Sequence, residues 1–206
     1  SSAASDVYKR QLLTLPLLLT AFVPGVMCGQ ESVKAVRVEV RTELGIILME
    51  LYPGQAPKTV SNFLEYVDGA FFDGGTFHRT VHDGNQPNDS VLIAVIQGDV
   101  SPSRRDERVG AIALERTSET GLRHMDGTVS MARGGPDTAT SSFFICIGDQ
   151  PELDFGGSRN PDGQGFAAFG KILEGMEVVR AINRSPAEGQ TLSPPIRILQ
   201  AKRVES

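Results

Sequence analysis

The chain has 206 residues, which is the length of one domain with at most a short additional segment. Its apolar content of 40% allows a sizeable core that needs no disulfide or metal site for stability. A formal net charge of -5 without any basic cluster argues against a nucleic-acid-binding protein. Two cysteines, Cys28 and Cys146, are too few for a disulfide framework, and no uninterrupted apolar stretch is long enough to predict a multi-spanning membrane protein.

The first thirty residues are expected to lie outside the folded domain. Residues 1–11 resemble a remnant of cloning or sequencing and are set aside. Within 12–30, an apolar run broken by prolines follows Lys9 and Arg10, which indicates a signal peptide and therefore export, to the periplasm in a bacterium. The alternatives are an ordinary buried segment and a lipid anchor on Cys28, although the methionine before Cys28 fits a lipidation site poorly.

The remaining residues, 33–206, are predicted to form one mainly β domain with two helices. Alternating apolar residues in Val36–Arg41 and Ile46–Tyr52 predict a hairpin. Pro57 and an apolar i, i+3, i+4, i+7 pattern predict a helix over Ala56–Val67. Since no βαβ rhythm is visible, the elements favour an antiparallel barrel capped by helices. The other predicted strands are Phe77–Val81, Val91–Ile96, Ala111–Leu114, Thr128–Ala132, Phe143–Ile147, Phe166–Ile172 and Ile196–Val204, with a second helix at Gly175–Asn183.

Residue types that serve metal or nucleophilic chemistry are sparse. In an extended strand, His78 and His82 would stand roughly 13 Å apart, too far for one metal ion, so no metal site is predicted. The Gly-x-Ser-x-Gly motif is absent, and Ser141 and Ser142 are more typical of loop hydrogen bonding than of a hydrolase nucleophile. Cys146 lies in an apolar run and is interpreted as a buried, inert thiol.

Arg79 is the most informative charged residue of the central part of the chain. In a strand it would share a face with Phe77 and Val81, which places a cation on an apolar surface. Such an arginine either extends outward and pairs with an acid or serves a function. The small residues of Ser130–Pro136 beside the aromatic pair in Ser142–Phe144 indicate a shallow apolar groove or, alternatively, core strands joined by a glycine loop.

Eight short segments, taken together and in order, resemble the cyclophilins, the peptidyl-prolyl cis–trans isomerase family. The resemblance covers about residues 35–204. It implies an eight-stranded antiparallel barrel capped by two α-helices, an external groove for proline-containing polypeptides, and no cofactor. The matching segments are Thr42–Gly45, Ala56–Phe63, Phe77–Arg79, Ile96–Asp99, Val129–Ala132, Ser142–Cys146, Ala168–Ile172 and Glu174–Met176.

The resemblance also implies roles for individual residues. Arg79 takes the place of the catalytic arginine, Gln97 that of the glutamine bonded to the substrate backbone, and Phe144 that of the floor of the proline pocket. The reaction is rotation about an Xaa–Pro bond, whose barrier of about 18–20 kcal/mol arises from amide resonance. An arginine that favours the twisted amide would lower that barrier without a nucleophile or metal. Further substrate-binding positions are Phe77, His78, Val95, Ala132, Arg133, Ser142, Glu152, Leu153 and Phe166.

Several positions depart from the family pattern. An insertion centred on Val81–Ser90 separates Arg79 from Gln97, and Glu152 replaces an aromatic residue, so we expect weak cyclosporin binding. The overall expectation is a monomeric prolyl isomerase of unfolded or flexible proteins, without nucleic-acid or metal partners. The alternative is a non-catalytic peptide-binding or scaffold module on the same barrel, which the insertion and Glu152 favour. The other departures are Val95 for a methionine, Arg133 for an asparagine, Ser142 for a glutamine and Phe166 for a histidine.

Overall fold

The structure is a computed structural model that describes residues 34–107 and 109–205. The interpretations of 1–11 as an artefact and of 12–30 as a signal peptide, with Cys28 as a candidate lipid site, lie outside the described residues. Within the described ranges, no helix has both the length and the apolar character needed to cross a bilayer.

Eight strands close into an antiparallel barrel, as expected from the resemblance. The strand order is β1-β2-β7-β5-β6-β4-β3-β9, and β9 also pairs with β1, which closes the sheet on itself. The two-residue β8 pairs only with the start of β9. The elements are β1 Val36–Thr42, β2 Gly45–Leu51, α1 Pro57–Asp68, β3 Thr76–Val81, β4 Val95–Asp99, α2 Thr117–Thr120, β5 Thr128–Met131, β6 Phe143–Cys146, β7 Ala167–Glu174, α3 Met176–Asn183, β8 Ala187–Glu188 and β9 Thr191–Val204.

The main core fills the barrel interior and the space beneath α1. The predicted apolar face of α1 is buried, and its Phe63 ring is 5.2, 5.3 and 5.1 Å from the ring centres of Phe72, Phe143 and Phe169. Alternate strand residues supply the remainder of this cluster, as the two-residue period of a pleated strand requires. The helix is thereby packed against the barrel.

Two predicted strands have other bounds in the structure, and a third does not form. The strand expected at Val91–Ile96 is β4, which begins at Val95 and ends at Asp99, so 91–94 belong to the preceding loop. The run Ala111–Leu114 forms only one isolated bridge, between Ile112 and Ala139. The last strand, expected from Ile196, begins earlier at Thr191, because β9 passes its two prolines at an irregularity in the pairing with β3, where prolines are tolerated.

The insertion between β3 and β4 forms a closed loop. A short 3₁₀ turn occupies Asp83–Asn85. The buried side chain of Gln86 then donates through Nε2 to the Ile93 carbonyl oxygen at 2.8 Å and accepts from the Ile93 amide through Oε1 at 3.2 Å. These two bonds join the middle of the loop to its end, so this part of the insertion has a defined path.

Candidate functional site

A second apolar cluster covers the outer face of β3, β4 and β6. The strands that bury one set of residues inside the barrel bury the alternate set here, so this part of the wall is apolar on both faces. The cluster forms the floor of a groove of about 330 Å³. The lining residues are Arg79, Ile93, Val95, Gln97, Ala132, Arg133, Phe144, Leu153, Arg159, Asn160 and Phe166.

A β-bulge in β3 aims Arg79 into this groove. Phe77 pairs with Gly98 whereas Arg79 pairs with Gln97, so the register shifts at His78. Phe77 consequently points into the barrel, where it is fully buried and its ring lies 5.7 Å from that of Phe143. The predicted common face of Phe77, Arg79 and Val81 is therefore wrong for Phe77, because a strict two-residue period does not hold across a bulge.

The Arg79 guanidinium is held by neutral groups. Its Nε and Nη2 donate to Gln190 Oε1 at 3.0 and 2.6 Å, and its Nη1 donates to Gln97 Oε1 at 3.0 Å. Burial and the nearby Arg159 lower the pKa of Arg79, against an opposing effect of Asp89, but a guanidinium stays protonated in proteins. A positive charge fixed by amide oxygens therefore faces the groove.

Gln97 is oriented by Ser142, the residue just before β6. Its Nε2 donates to Ser142 Oγ at 2.9 Å, and the Ser142 hydroxyl donates to the Gly98 carbonyl oxygen at 3.1 Å. This arrangement leaves Gln97 Oε1 directed at Arg79. Ser142 thus lies beneath Gln97 and positions it, and it is not among the residues that line the groove.

Phe144 lies at the bottom of the groove and is supported from two sides. The Phe166 ring meets it edge-on at 5.3 Å, and the His124 ring stacks against it at 5.9 Å. His124 is itself buried, with Nδ1 2.7 Å from Asp154 Oδ1 and Nε2 2.9 Å from Ser130 Oγ. These contacts give the groove a rigid aromatic floor suited to a compact apolar ring.

Arg133 supports one wall of the groove. Its Nη1 and Nη2 donate to the two carboxylate oxygens of Asp162 at 2.7 and 2.9 Å, and its Nε donates to the Gly165 carbonyl oxygen at 2.7 Å. The guanidinium also lies 5.1 Å from the centre of the Phe166 ring. The hydrogen bonds from Arg133 and from the Gln164 amide lower the pKa of Asp162 to about 2.

The groove lining also contains Arg159 and Asn160, which the sequence interpretation missed. Arg159 donates to the Val91 carbonyl oxygen at 2.7 Å and lies 3.2 Å from an Asp89 carboxylate oxygen, which ties its loop to the insertion. Asn160 Nδ2 is buried and has no hydrogen-bond partner among the described residues. Both side chains belong to a loop without apolar periodicity, so no sequence signal pointed to them.

Most of the predicted site residues meet in the groove, and four do not. Phe77 lies in the barrel interior, Ser142 lies beneath Gln97, and His78 occupies the bulge, where burial lowers its pKa. Glu152 is exposed and accepts a hydrogen bond from the Ser158 amide at 2.8 Å. The predicted residues that line the groove are Arg79, Val95, Gln97, Ala132, Arg133, Phe144, Leu153 and Phe166.

The groove offers binding and polarisation rather than covalent chemistry. Its lining contains arginine and amide donors around apolar side chains, with no serine, cysteine, histidine or acid among them. Cys146 is buried in the floor cluster, as predicted, and burial raises its pKa far above the usual value of a thiol. Within 34–107 and 109–205, no cluster of three or more histidine, cysteine or acidic residues could hold a metal ion.

Comparisons with known proteins identify relatives of this chain. Residues 37–203 match the family described as cyclophilin type peptidyl-prolyl cis-trans isomerase/CLD. Peptidyl-prolyl cis-trans isomerase cyp18 of Streptomyces antibioticus is 38% identical over 146 residues, 70% of this chain and 81% of that protein. Peptidyl-prolyl cis-trans isomerase A of Dickeya dadantii is 33% identical over 192 residues, 90% of this chain and 92% of that protein.

Solved structures show the same fold at lower sequence identity. A crystal structure of a cyclophilin type peptidyl-prolyl cis-trans isomerase from Cryptosporidium parvum aligns with a TM-score of 0.67 at 22% identity, covering 84% of this chain and 99% of that one. A second structure of that protein, determined in the presence of the dipeptide Ala-Pro, aligns with a TM-score of 0.65. Both likenesses support the barrel architecture.

Proposed function

The chain belongs to the cyclophilin-type peptidyl-prolyl cis–trans isomerases and is itself such an isomerase, and from this we propose how its groove works. The substrates are proline-containing segments of unfolded or flexible polypeptides, which lie along the groove. The prolyl ring enters the pocket above Phe144, and Arg79 acts on the bond that precedes it. The observation that carries the proposal is that Arg79 and Phe144 line one groove.

Rotation about the Xaa–Pro bond destroys amide resonance, which is the origin of its barrier of about 18–20 kcal/mol. In the twisted amide the nitrogen becomes pyramidal and accepts a hydrogen bond better than in the planar form. A guanidinium directed at that nitrogen therefore binds the transition state more tightly than either planar isomer. Since Arg79 is already held by Gln97 and Gln190, little reorganisation accompanies the rotation.

The remainder of the groove holds one side of the rotating bond. Phe144, Phe166 and Leu153 present an apolar surface for the prolyl ring. Gln97 lies beside Arg79 and bonds the substrate backbone, so that one end of the substrate is anchored while the other turns. No bond is broken, and neither a cofactor nor a metal takes part.

Replacing Arg79 tests the proposal directly. We expect Arg79→Ala to lower kcat/KM on the order of 100–1000-fold, because a preorganised donor to the transition state is lost. Arg79→Lys should recover only part of the activity, since an ammonium lacks the planar fork. The measurement is protease-coupled isomerisation of an Ala-Pro-Phe peptide by the full chain, with Arg41→Ala, an exposed arginine on β1, as the matched control.

Equal acceleration by wild type and Arg79→Ala would remove Arg79 from the mechanism. A wild-type protein that binds the peptide without accelerating its isomerisation would instead support the alternative, a non-catalytic peptide-binding or scaffold module. That alternative is favoured by Glu152 and by the insertion between β3 and β4, whose contacts include a hydrogen bond from the groove-lining Arg159. The presence of Arg79, Gln97 and Phe144 in one groove favours catalysis.

Three further properties are proposed. The protein acts as a monomer, and it binds cyclosporin weakly because Glu152 is exposed where the family has an aromatic ring. It is exported, to the periplasm in a bacterium, by the segment 12–30, with lipid anchoring through Cys28 as the alternative. N-terminal sequencing of protein from an exporting cell should find the first residue near 28–31, and an intact apolar run in the cytoplasm would contradict export.

A further inference from the structure

Asn85, in the insertion, connects three neighbouring segments. Its Nδ2 donates to the carbonyl oxygens of Thr80, at 2.9 Å, and Gly189, at 3.0 Å. Its Oδ1 accepts from the His82 amide at 2.9 Å. One side chain thereby ties the 3₁₀ turn of the insertion to the end of β3 and to the turn between β8 and β9.

Gln190 connects this assembly to Arg79. Its Nε2 donates to the main-chain oxygen of Asn85 at 3.3 Å, and its own carbonyl oxygen accepts from the Thr80 amide at 2.9 Å. Its Oε1 accepts both Nε and Nη2 of Arg79. The chain of contacts therefore runs without a gap from the insertion through Gln190 to the guanidinium.

The orientation of the Gln190 side-chain amide decides whether it accepts hydrogen bonds from the Arg79 guanidinium or opposes it with N–H donors. A primary amide has one accepting end and one donating end, and a flipped amide would turn two N–H donors toward a guanidinium that has only donors. A carbonyl oxygen can only accept, so the Asn85 carbonyl selects the orientation in which Gln190 Oε1 faces Arg79. Ser142 orients Gln97 in the same sense from the other side.

We propose that Gln190 and Asn85 are positioning residues for Arg79, and that the insertion orients the guanidinium through them. The inference rests on the proposed function of Arg79 and adds a role for the insertion. Both residues act through Arg79 and lie outside the groove lining. Their loss should therefore affect the rotation step and leave binding of the prolyl ring unchanged.

Gln190→Ala in the full chain should lower kcat about tenfold, by analogy with the lower end of the loss when a hydrogen-bond partner that orients a metal ligand is removed. KM should stay within twofold of wild type. Asn85→Ala should lower kcat by a smaller factor. The main-chain oxygen of residue 85 can still accept from Gln190, but the side-chain bonds that hold it in place are lost. Asn88→Ala, a change of the same residue type at an exposed position of the insertion, is the matched control and should leave kcat unchanged.

A double-mutant cycle separates positioning from a general structural effect. In an Arg79→Ala background, Gln190→Ala should cause no further loss of kcat, because there is no guanidinium left to orient. A further tenfold loss in that background would overturn the proposal. Gln190→Glu is the second variant, and it should also lower kcat. Its carboxylate repels the Asn85 carbonyl oxygen and offsets the positive charge of the Arg79 guanidinium.

A spectroscopic readout keeps this test independent of catalysis. The ¹⁵N-correlated Nε–H signal of Arg79 should move and exchange faster with water in Gln190→Ala and Asn85→Ala, but not in Asn88→Ala. An unchanged Arg79 signal in Gln190→Ala would overturn the inference. Absence of isomerase activity in wild type would instead refute the proposed function, and the Arg79 signal would still decide whether the insertion orients the guanidinium.

Discussion

Arg133 lines the groove, and its guanidinium is bonded within the protein. The sequence interpretation placed it among the substrate-binding residues, at a position where the family has an asparagine. In the structure its three nitrogens bond to Asp162 and Gly165, and its guanidinium lies over Phe166. The charge therefore holds the loop that carries Asp162 against the aromatic floor, and its donors are engaged within the protein.

This pairing predicts a pH dependence. The pKa of Asp162 is about 2 in the folded protein, below its unfolded value, so the carboxylate stabilises the loop above pH 4 and loses that effect as the pH falls from about 4 to about 2. A ¹³C-detected carboxyl titration should find the Asp162 midpoint near 2 in wild type and at a clearly higher pH in Arg133→Gln, where the Gln164 amide still bonds the carboxylate but the guanidinium does not. A wild-type midpoint near 4 would contradict the pairing.

The thermal stability of wild type and of Asp162→Asn provides a second measurement of the same effect. The difference in Tm between wild type and Asp162→Asn should be largest near neutral pH and should shrink as the pH falls toward 2, because both proteins then carry an uncharged group at this position. Asp83→Asn, an exposed change in the insertion, should show no such convergence.

Single residues were predictable where a motif or strand period identified them. Arg79, Gln97 and Phe144 came from the family resemblance, and all three line the groove. Phe77 was misplaced because a bulge reverses the alternation at one residue. Arg159 and Gln190 were missed because their positions depend on contacts between loops that are distant in sequence, for which a local pattern carries no information.

At the scale of elements, α1 depends on a residue outside the helix for its N-terminal cap. Ala56 precedes the helix and makes no side-chain capping bond. Instead Glu115 accepts from the amides of Lys58 and Thr59, at 3.1 and 2.8 Å, and from the Thr59 hydroxyl at 2.6 Å. A carboxylate at this position also interacts favourably with the positive end of the helix dipole.

Glu115→Ala should therefore destabilise the fold by about 1–2 kcal/mol, the typical cost of a lost N-cap. Denaturant unfolding measures the change, and Glu65→Ala, at an exposed position of the same helix, is the control. A loss no larger than that of the control would show that water replaces the carboxylate without cost.

The helices were easier to predict than the strands. A proline at the first turn and a repeating apolar face located α1, and an apolar face alone located α3, each to within a residue or two. The strand at Val91–Ile96 was misplaced because Ile93 belongs to the groove-side cluster without being in a strand. Apolar residues in a loop that packs on a sheet look the same in sequence as apolar residues in the sheet.

At the scale of the whole molecule, two apolar clusters share one barrel wall. The interior cluster holds α1 against the strands through Phe63, and the outer cluster forms the groove floor around Phe144. Because alternate residues of the same strands serve the two clusters, interior packing and groove shape are separated by the thickness of one sheet. Damage to the interior should therefore reduce stability before it alters the groove.

Phe63→Ala tests this separation. The ring is fully buried and contacts three other aromatic rings, so its removal should cost about 3–5 kcal/mol of unfolding free energy. At a temperature where the variant remains folded, kcat/KM should stay within a few-fold of wild type. Leu44→Ala, at an exposed apolar position, should change neither quantity. A loss of activity without a loss of stability would refute the separation.

The double pairing of β9 bears on the order in which the molecule can assemble. This strand pairs with β1 on one side and with β3 on the other, so the barrel closes only when β9 is in place. During ribosomal synthesis it emerges after every other strand described. Until then β1 and β3 each expose an unpaired strand edge. Because unpaired edges promote aggregation, we expect the nascent chain to depend on a chaperone most when all strands except β9 have been synthesised.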